Sequence, residues 1–191
     1  MDILSLQGQM ADILKPKRYL HVLGVSYTCA SLAMRYQVDL TKAQIAGLLH
    51  DCAKHLSGET LLMECITYGL PISMIEEKNP YLLHGKLGAY YAKEKYGVED
   101  EEILSSIIYH TTGKPNMTIL EKIVFVADYI EPSRQKDRVR GLDEVREHAF
   151  ENLDRTVYEV ARNTLAYLKE CGGDIDSTTV DTYNYYKKYA V

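Results

Sequence analysis

Apolar residues recur along this chain every three to four positions, the spacing of an amphipathic helix, in one segment after another. "KRYLHVLGVSYTCASLAMRY" is long and rich in Leu, Ala and Met, with Pro16, a residue suited to a first helical turn, just ahead of it. "DLTKAQIAGLLHDCAKHL" has cap candidates in Asp39 and Thr41 and runs to Ser57-Gly58. "SGETLLMECITYG" opens on a capping Ser57 and stops at Gly69. Further helices are predicted over "PYLLHGKLGAYYAKEKYG", over "EDEEILSSIIYHTTG" with acids in its first turn, and over "TILEKIVFVADYIEP", which Pro132 closes. "GLDEVREHAFENLDRTVYEVARNTLAYLKECGG" reads as one short and one long helix, and "TTVDTYNYYKKYA" as the last. "KIVFVADYI" has the β-branched content of a strand, but its neighbours are all helical and it is assigned with them. The pattern predicts an all-α protein of about eight to ten helices in a single domain over 1–191, with core motifs at 17–134 and C-terminal helices at 142–190 packed onto them. "PSRQKDRVRG", residues 132–141, is polar and basic and reads as a long loop, a common place for function.

Composition narrows the chemistry. A net charge of −5 argues against a nucleic-acid partner, which needs a broad basic face, but leaves room for a small anionic ligand held by a local group of cations. Cys29, Cys52, Cys65 and Cys171 are scattered, with no C-x-x-C, so neither a zinc-thiolate site nor a disulfide framework is expected. With no signal peptide and no long apolar span, the chain reads as cytoplasmic, with no membrane partner. Tyr183, Tyr186 and Tyr189 form a stripe read as the docking surface of the last helix, with adenine stacking as the alternative.

Six histidines occur: His21, His50, His55, His84, His110 and His148. Four of them fall in the body or final turn of apolar helices, in "RYLHVLG", "GLLHDCA", "YLLHGKL" and "IIYHTTG". One such histidine is usually a core residue with a satisfied hydrogen bond. Four, together with Asp51 and with Asp128 in "FVADYIE", point to imidazoles and carboxylates converging from separate helices, the way a helical bundle builds a metal site. If the helix runs on through residue 56, His50 and Asp51 differ by about 100° and reach one point, with Lys54 on the same face. A lysine there fits a phosphate lying between it and the metals. The two oxygens of Asp51 allow it to bridge two ions: His21, His50, Asp51 and Asp128 would hold one, and Asp51, His84 and His110 the other. Nitrogen and oxygen donors without thiolate suit Fe, Mn, Co or Zn rather than Ca or an all-oxygen Mg site. His55 is expected to face solvent, and His148 shows no link to the cluster.

The order His21, His50-Asp51, Asp128 resembles the HD superfamily of metal-dependent phosphohydrolases, and His84 and His110 look like the extra ligands of its dinuclear members. "RYLHVLGV", "AGLLHDCAK", "LLHGKLGA", "YHTTG" and "EKIVFVADYIEPSR" together resemble the YqeK family of symmetrical bis(5'-nucleosyl)-tetraphosphatases, over about residues 17–134. The resemblance implies a helical HD domain with a dinuclear site in its core. It implies an iron-dependent enzyme that cuts diadenosine tetraphosphate into two ADP. It also implies metal ligation by His21, His50, Asp51, His84, His110 and Asp128, and phosphate or nucleotide contacts for Arg18, Lys54, Thr111 and Arg134.

The mechanism expected on this basis uses two ions about 3.5–4 Å apart and a hydroxide bridging them, which attacks a phosphorus beside the central bridging oxygen. Asp51 and Lys54 carry the chemistry, Lys54 and Arg134 neutralise developing charge, and Arg18 stands one turn from His21. The hydroxyls of Thr111 and Thr112 and the N–H of Gly113 are offered to phosphate oxygens. The competing readings are an HD phosphohydrolase for a mononucleotide, a hyperphosphorylated guanosine or a cyclic dinucleotide; a dinuclear-iron oxygenase; and a non-catalytic nucleotide sensor. Oligomeric state is left open, a homodimer included.

Overall fold

The computed structural model describes residues 2–190. Among them are eleven α-helices: α1 (Ile3–Ile13), α2 (Pro16–Tyr36), α3 (Leu40–Leu49), α4 (Gly58–Thr67), α5 (Met74–Lys78), α6 (His84–Glu94), α7 (Glu101–Tyr109), α8 (Ile119–Ile130), α9 (Leu142–His148), α10 (Leu153–Cys171) and α11 (Ser177–Tyr186). Short 3₁₀ turns cover Pro80–Leu83 and Lys187–Tyr189. The all-α expectation holds. The two helices beyond the expected set of the pattern are α1, which buries only Leu6 and Met10, and the five-residue α5. α1 is rich in apolar residues but leaves most of them unburied, and α5 is too short for a helical period to show.

Caps explain most helix starts. Asp39, Ser57 and Asp100 accept backbone N–H bonds from the first turns of α3, α4 and α7. Thr118 and Glu121 close a capping box on α8. α8 lies against α2, α3, α7, α9 and α10, and Leu120, Ile123, Val124, Phe125, Val126, Ala127 and Ile130 are all buried. A helix packed on nearly every side is apolar on nearly every side, which is why this segment looked like a strand. α2 runs along α3 so closely that a Cβ on Gly47 would sit 2.8 Å from the Ser26 backbone.

α11 packs on α10 and reaches the turn after α7. Tyr186 is fully buried, and its hydroxyl accepts the Met117 N–H at 2.9 Å. Thr182 Oγ1 donates to Thr112 O at 3.0 Å, over Gly113, whose positive φ of 63° and lack of Cβ let the turn pass. Tyr183 stacks on Tyr158. The tyrosine stripe docks the last helix. Among the described residues no helix is long and apolar enough to cross a membrane.

Candidate metal centre

Three helix ends and two helix flanks meet at one point. His21 comes from the second turn of α2, His50-Asp51 from the turn after α3, His84 from the start of α6, His110 from the turn after α7 and Asp128 from the last turn of α8. The four imidazoles and Asp51 are buried, and Asp128 is partly exposed.

The HD pair is not on a continuous helix, as the pattern had suggested. α3 ends at Leu49, and residues 50–56 wind on through turns with Cys52 N–H to Leu49 O at 3.1 Å and Lys54 N–H to Asp51 O at 2.9 Å. The reason lies in the ring itself. Nδ1–H of His50 donates to Gly47 O at 2.7 Å, the carbonyl that a continuing helix would give to residue 51. His110 does the same to Ile107 O at 2.7 Å, and His84 Nδ1–H donates to Tyr81 O. Each bond fixes the tautomer and turns an unprotonated Nε2 inward.

His21 sits inside its helix, where the preceding carbonyls are already engaged. Its Nδ1–H donates instead to Glu131 Oε1 at 2.9 Å. Glu131 is 1% exposed and also accepts from the Ser133 N–H and hydroxyl. Gly24 makes the room: a Cβ there would lie 2.5 Å from Glu131 Oε2. Sequence reasoning missed Glu131. The available signal was an acid at a helix C-terminus, where the dipole disfavours it, directly before a proline.

Asp51 divides its two oxygens. Oδ2 faces His21 Nε2 at 3.8 Å and His50 Nε2 at 3.5 Å. Oδ1 faces His84 Nε2 at 3.4 Å and His110 Nε2 at 3.6 Å. Asp128 Oδ1 lies 3.0 Å from His21 Nε2 and 3.8 Å from His50 Nε2. Two groups that could hold a metal ion result, His21–His50–Asp51 and Asp51–His84–His110, sharing one carboxylate.

The residues fit such ions. Nε2 of His21 and of His50 are buried without an aligned hydrogen-bond partner, although Asp128 is close to the first. Nε2 of His84 and of His110 approach to 3.0 Å with both Nδ1 atoms already donating, so neither can donate to the other and the two lone pairs converge on one point. The donor set is nitrogen and oxygen. The neighbouring Cys52 is kept out of it: burial pushes its thiol up to about 12, and Sγ–H turns to Gly88 O. Burial works against charge on Asp51, but the surrounding imidazoles hold its carboxyl well below the usual range. Burial lowers His50 to about 4 and His84 to about 3, keeping both rings neutral and ready to ligate.

The cations are arranged differently from the expectation. The direct partner of Asp51 is Arg18, Nη1 to Oδ2 at 2.7 Å. Arg134 Nη2 donates to Asp128 Oδ1 at 2.6 Å. Lys54 is half-buried and reaches across to His84 Nε2 at 3.0 Å; burial, its largest influence, lowers its pKa. Thr111 Oγ1 lies 3.0 Å from His110 Nε2. Thr112 and Gly113 point elsewhere: the Thr112 hydroxyl donates to Gly113 O, and the Gly113 N–H donates to Tyr109 O at 2.8 Å. His55 is exposed, and His148 pairs with Glu159 at 2.9 Å, away from the cluster.

Comparison with known proteins agrees with this geometry. The HD domain family model matches residues 18–133. The chain is 39% identical over 168 residues to a protein of Bacillus subtilis named bis(5'-nucleosyl)-tetraphosphatase, symmetrical, covering 88% of each chain. It is 37% identical to one of the same name from Staphylococcus aureus, covering 97% of this chain and 95% of the other. The fold is similar, with a TM-score of 0.93 and 40% identity over 99% of this chain and 98% of the other, to a crystal structure described as a predicted HD superfamily hydrolase involved in NAD metabolism from Clostridium acetobutylicum. The chain belongs to the HD domain family and, within it, to the YqeK family that these tetraphosphatases represent.

Proposed function

We propose that the protein is a metal-dependent phosphohydrolase that cleaves diadenosine tetraphosphate symmetrically into two ADP. The observation that carries this reading is the division of Asp51, with one oxygen toward His21 and His50 and the other toward His84 and His110, beside cations suited to phosphate. Relatives named for that reaction, at 37–39% identity over most of the chain, support the substrate. His21, His50, Asp51 and Asp128 would hold one divalent ion and Asp51, His84 and His110 a second. We assign iron, in keeping with the family resemblance; the same donors accept Mn, Co or Zn. When bound, the ions supply Lewis acidity at a phosphoryl oxygen and a water acidic enough to attack near neutral pH.

The rest of the chemistry belongs to the chain. Lys54, half-buried beside His84, donates to a phosphoryl oxygen, where low polarity strengthens the bond as negative charge grows. Arg18 and Arg134 each hold a ligand carboxylate with one N–H and, with side chains 38% and 32% exposed, keep others for the polyphosphate. Thr111 offers its hydroxyl beside His110. This surround of cations favours phosphate chemistry over oxygen activation, which has no use for them.

Product analysis tests the reading. Protein loaded anaerobically with iron is incubated with diadenosine tetraphosphate and the nucleotides are separated by chromatography. ADP as the sole product is expected. AMP with ATP would overturn symmetrical cleavage, and no turnover with iron, manganese or cobalt would overturn the substrate.

A further inference from the structure

His21 and Asp128 approach to 3.0 Å, yet they line different clefts. One cleft, of about 530 Å³, opens from His21 between the start of α2 and the 132–141 loop. The other, of about 520 Å³, opens from Asp128 between that loop and α10. Arg134, Arg138 and Val139 line both, so the loop is a wall with a cleft on each side.

The wall is anchored at each end. Arg146 donates to Ile130 O at 2.9 Å and to Glu131 O at 2.8 Å. At the far end Tyr129 Oη and Asn163 Nδ2 both donate to Arg140 O, at 2.6 and 3.0 Å. The chemistry of the two sides differs. The α2-side cleft presents Lys15, Lys17, Arg18 and Lys54, and its carboxylate, Glu131, is engaged by His21 and Ser133. The α10-side cleft carries Lys136 and Arg140 and adds the ring of Tyr167, 60% exposed, the Thr164 hydroxyl, and the carboxylates of Asp137 and Glu170, the last paired with Arg140 at 3.0 Å. An aromatic face with hydroxyl and carboxylate partners matches a base and a ribose.

A dinucleotide cut at its midpoint extends equally to both sides of the reacting phosphorus. A metal centre at the junction of two clefts of nearly equal size meets that requirement. We propose that the α10-side cleft is a second nucleoside-diphosphate subsite, with the base against Tyr167, while the other half of the substrate lies in the α2-side cleft. This rests on the function proposed above and adds where each half is held.

ADP is the probe. Equilibrium dialysis of the manganese-loaded protein is expected to give two ADP per chain. Tyr167→Ala, an exposed change on α10, is expected to leave one ADP per chain over the same ADP range and to keep the metal content. It should raise KM for diadenosine tetraphosphate by about 5- to 150-fold, the range for loss of one stacked base. Tyr167→Phe, which keeps the ring, should behave as the parent. One ADP per chain in the parent, or an unchanged ADP count and KM in Tyr167→Ala, would overturn the subsite. If the parent fails to cleave the dinucleotide, the function is wrong, and the ADP count still decides the cleft.

Discussion

Nδ1 of His21 lies 2.9 Å from Oε1 of Glu131, a contact that ties the second turn of α2 to the end of α8 across 110 positions of sequence. Three of the four clustered imidazoles orient themselves on a carbonyl three residues back; His21 alone among them needs a carboxylate from another helix. Glu131→Ala is therefore expected to lower affinity for the ion at His21, His50, Asp51 and Asp128 by about 10- to 100-fold, read by metal titration, with Glu131→Gln intermediate. Gly24→Ala, which forces a methyl against Glu131, should weaken the same ion and cost about 1–3 kcal/mol of stability in urea unfolding. Unaltered affinity in both variants would remove Glu131 from the site.

Asp51 is the only candidate ligand belonging to both metal groups among the described residues. Asp51→Ala is expected to abolish binding of both ions, whereas His84→Ala should lose mainly the one shared with His110. Elemental analysis of purified protein counts metal per chain. Full metal content in Asp51→Ala would refute the bridge.

Lys54 touches His84 without belonging to either metal group. Lys54→Met, which keeps much of the stem, is expected to leave metal content intact and to lower kcat by about 10²- to 10³-fold, the scale for removal of one donor aimed at developing charge. Parallel measurement of metal content and kcat separates this from a structural effect. An unchanged kcat would exclude Lys54 from the reaction.

Burial lowers His50 from 6.5 to about 4. Between those values the unfolded chain takes up a proton that the folded, metal-free protein refuses. Stability is thus fully present above pH about 6.5 and falls as the solution is acidified toward about 4, by on the order of 3 kcal/mol from this group. His84, lowered to about 3, acts in the same direction. Urea unfolding of the metal-free protein across this range measures the slope, and His50→Asn should flatten it. Stability independent of pH in the parent would show that the ring is not held neutral.

Much of this protein was legible without a structure, because much of it is local. Helix periods and caps such as Asp39 and Ser57 act over three or four residues, and the donor types of the six proposed ligands are a matter of side-chain chemistry. Local reasoning went wrong where a side chain competes with the backbone: the rings of His50 and His110 take the very carbonyls that would have continued their helices.

What the tertiary structure decided is everything that depends on which oxygen or nitrogen faces which. It gave Asp51 a different pair of imidazoles on each oxygen, put Arg18 on its carboxylate, brought Glu131 behind His21, and turned the basic loop into a wall between two clefts. Apart from the adjacent His50, the side chains gathered on Asp51 and behind His21 come from 30 to 110 positions away. No spacing rule reaches that far, because the directions of such groups are set by how α2, α3, α6, α7 and α8 pack, and that packing is a property of the whole core.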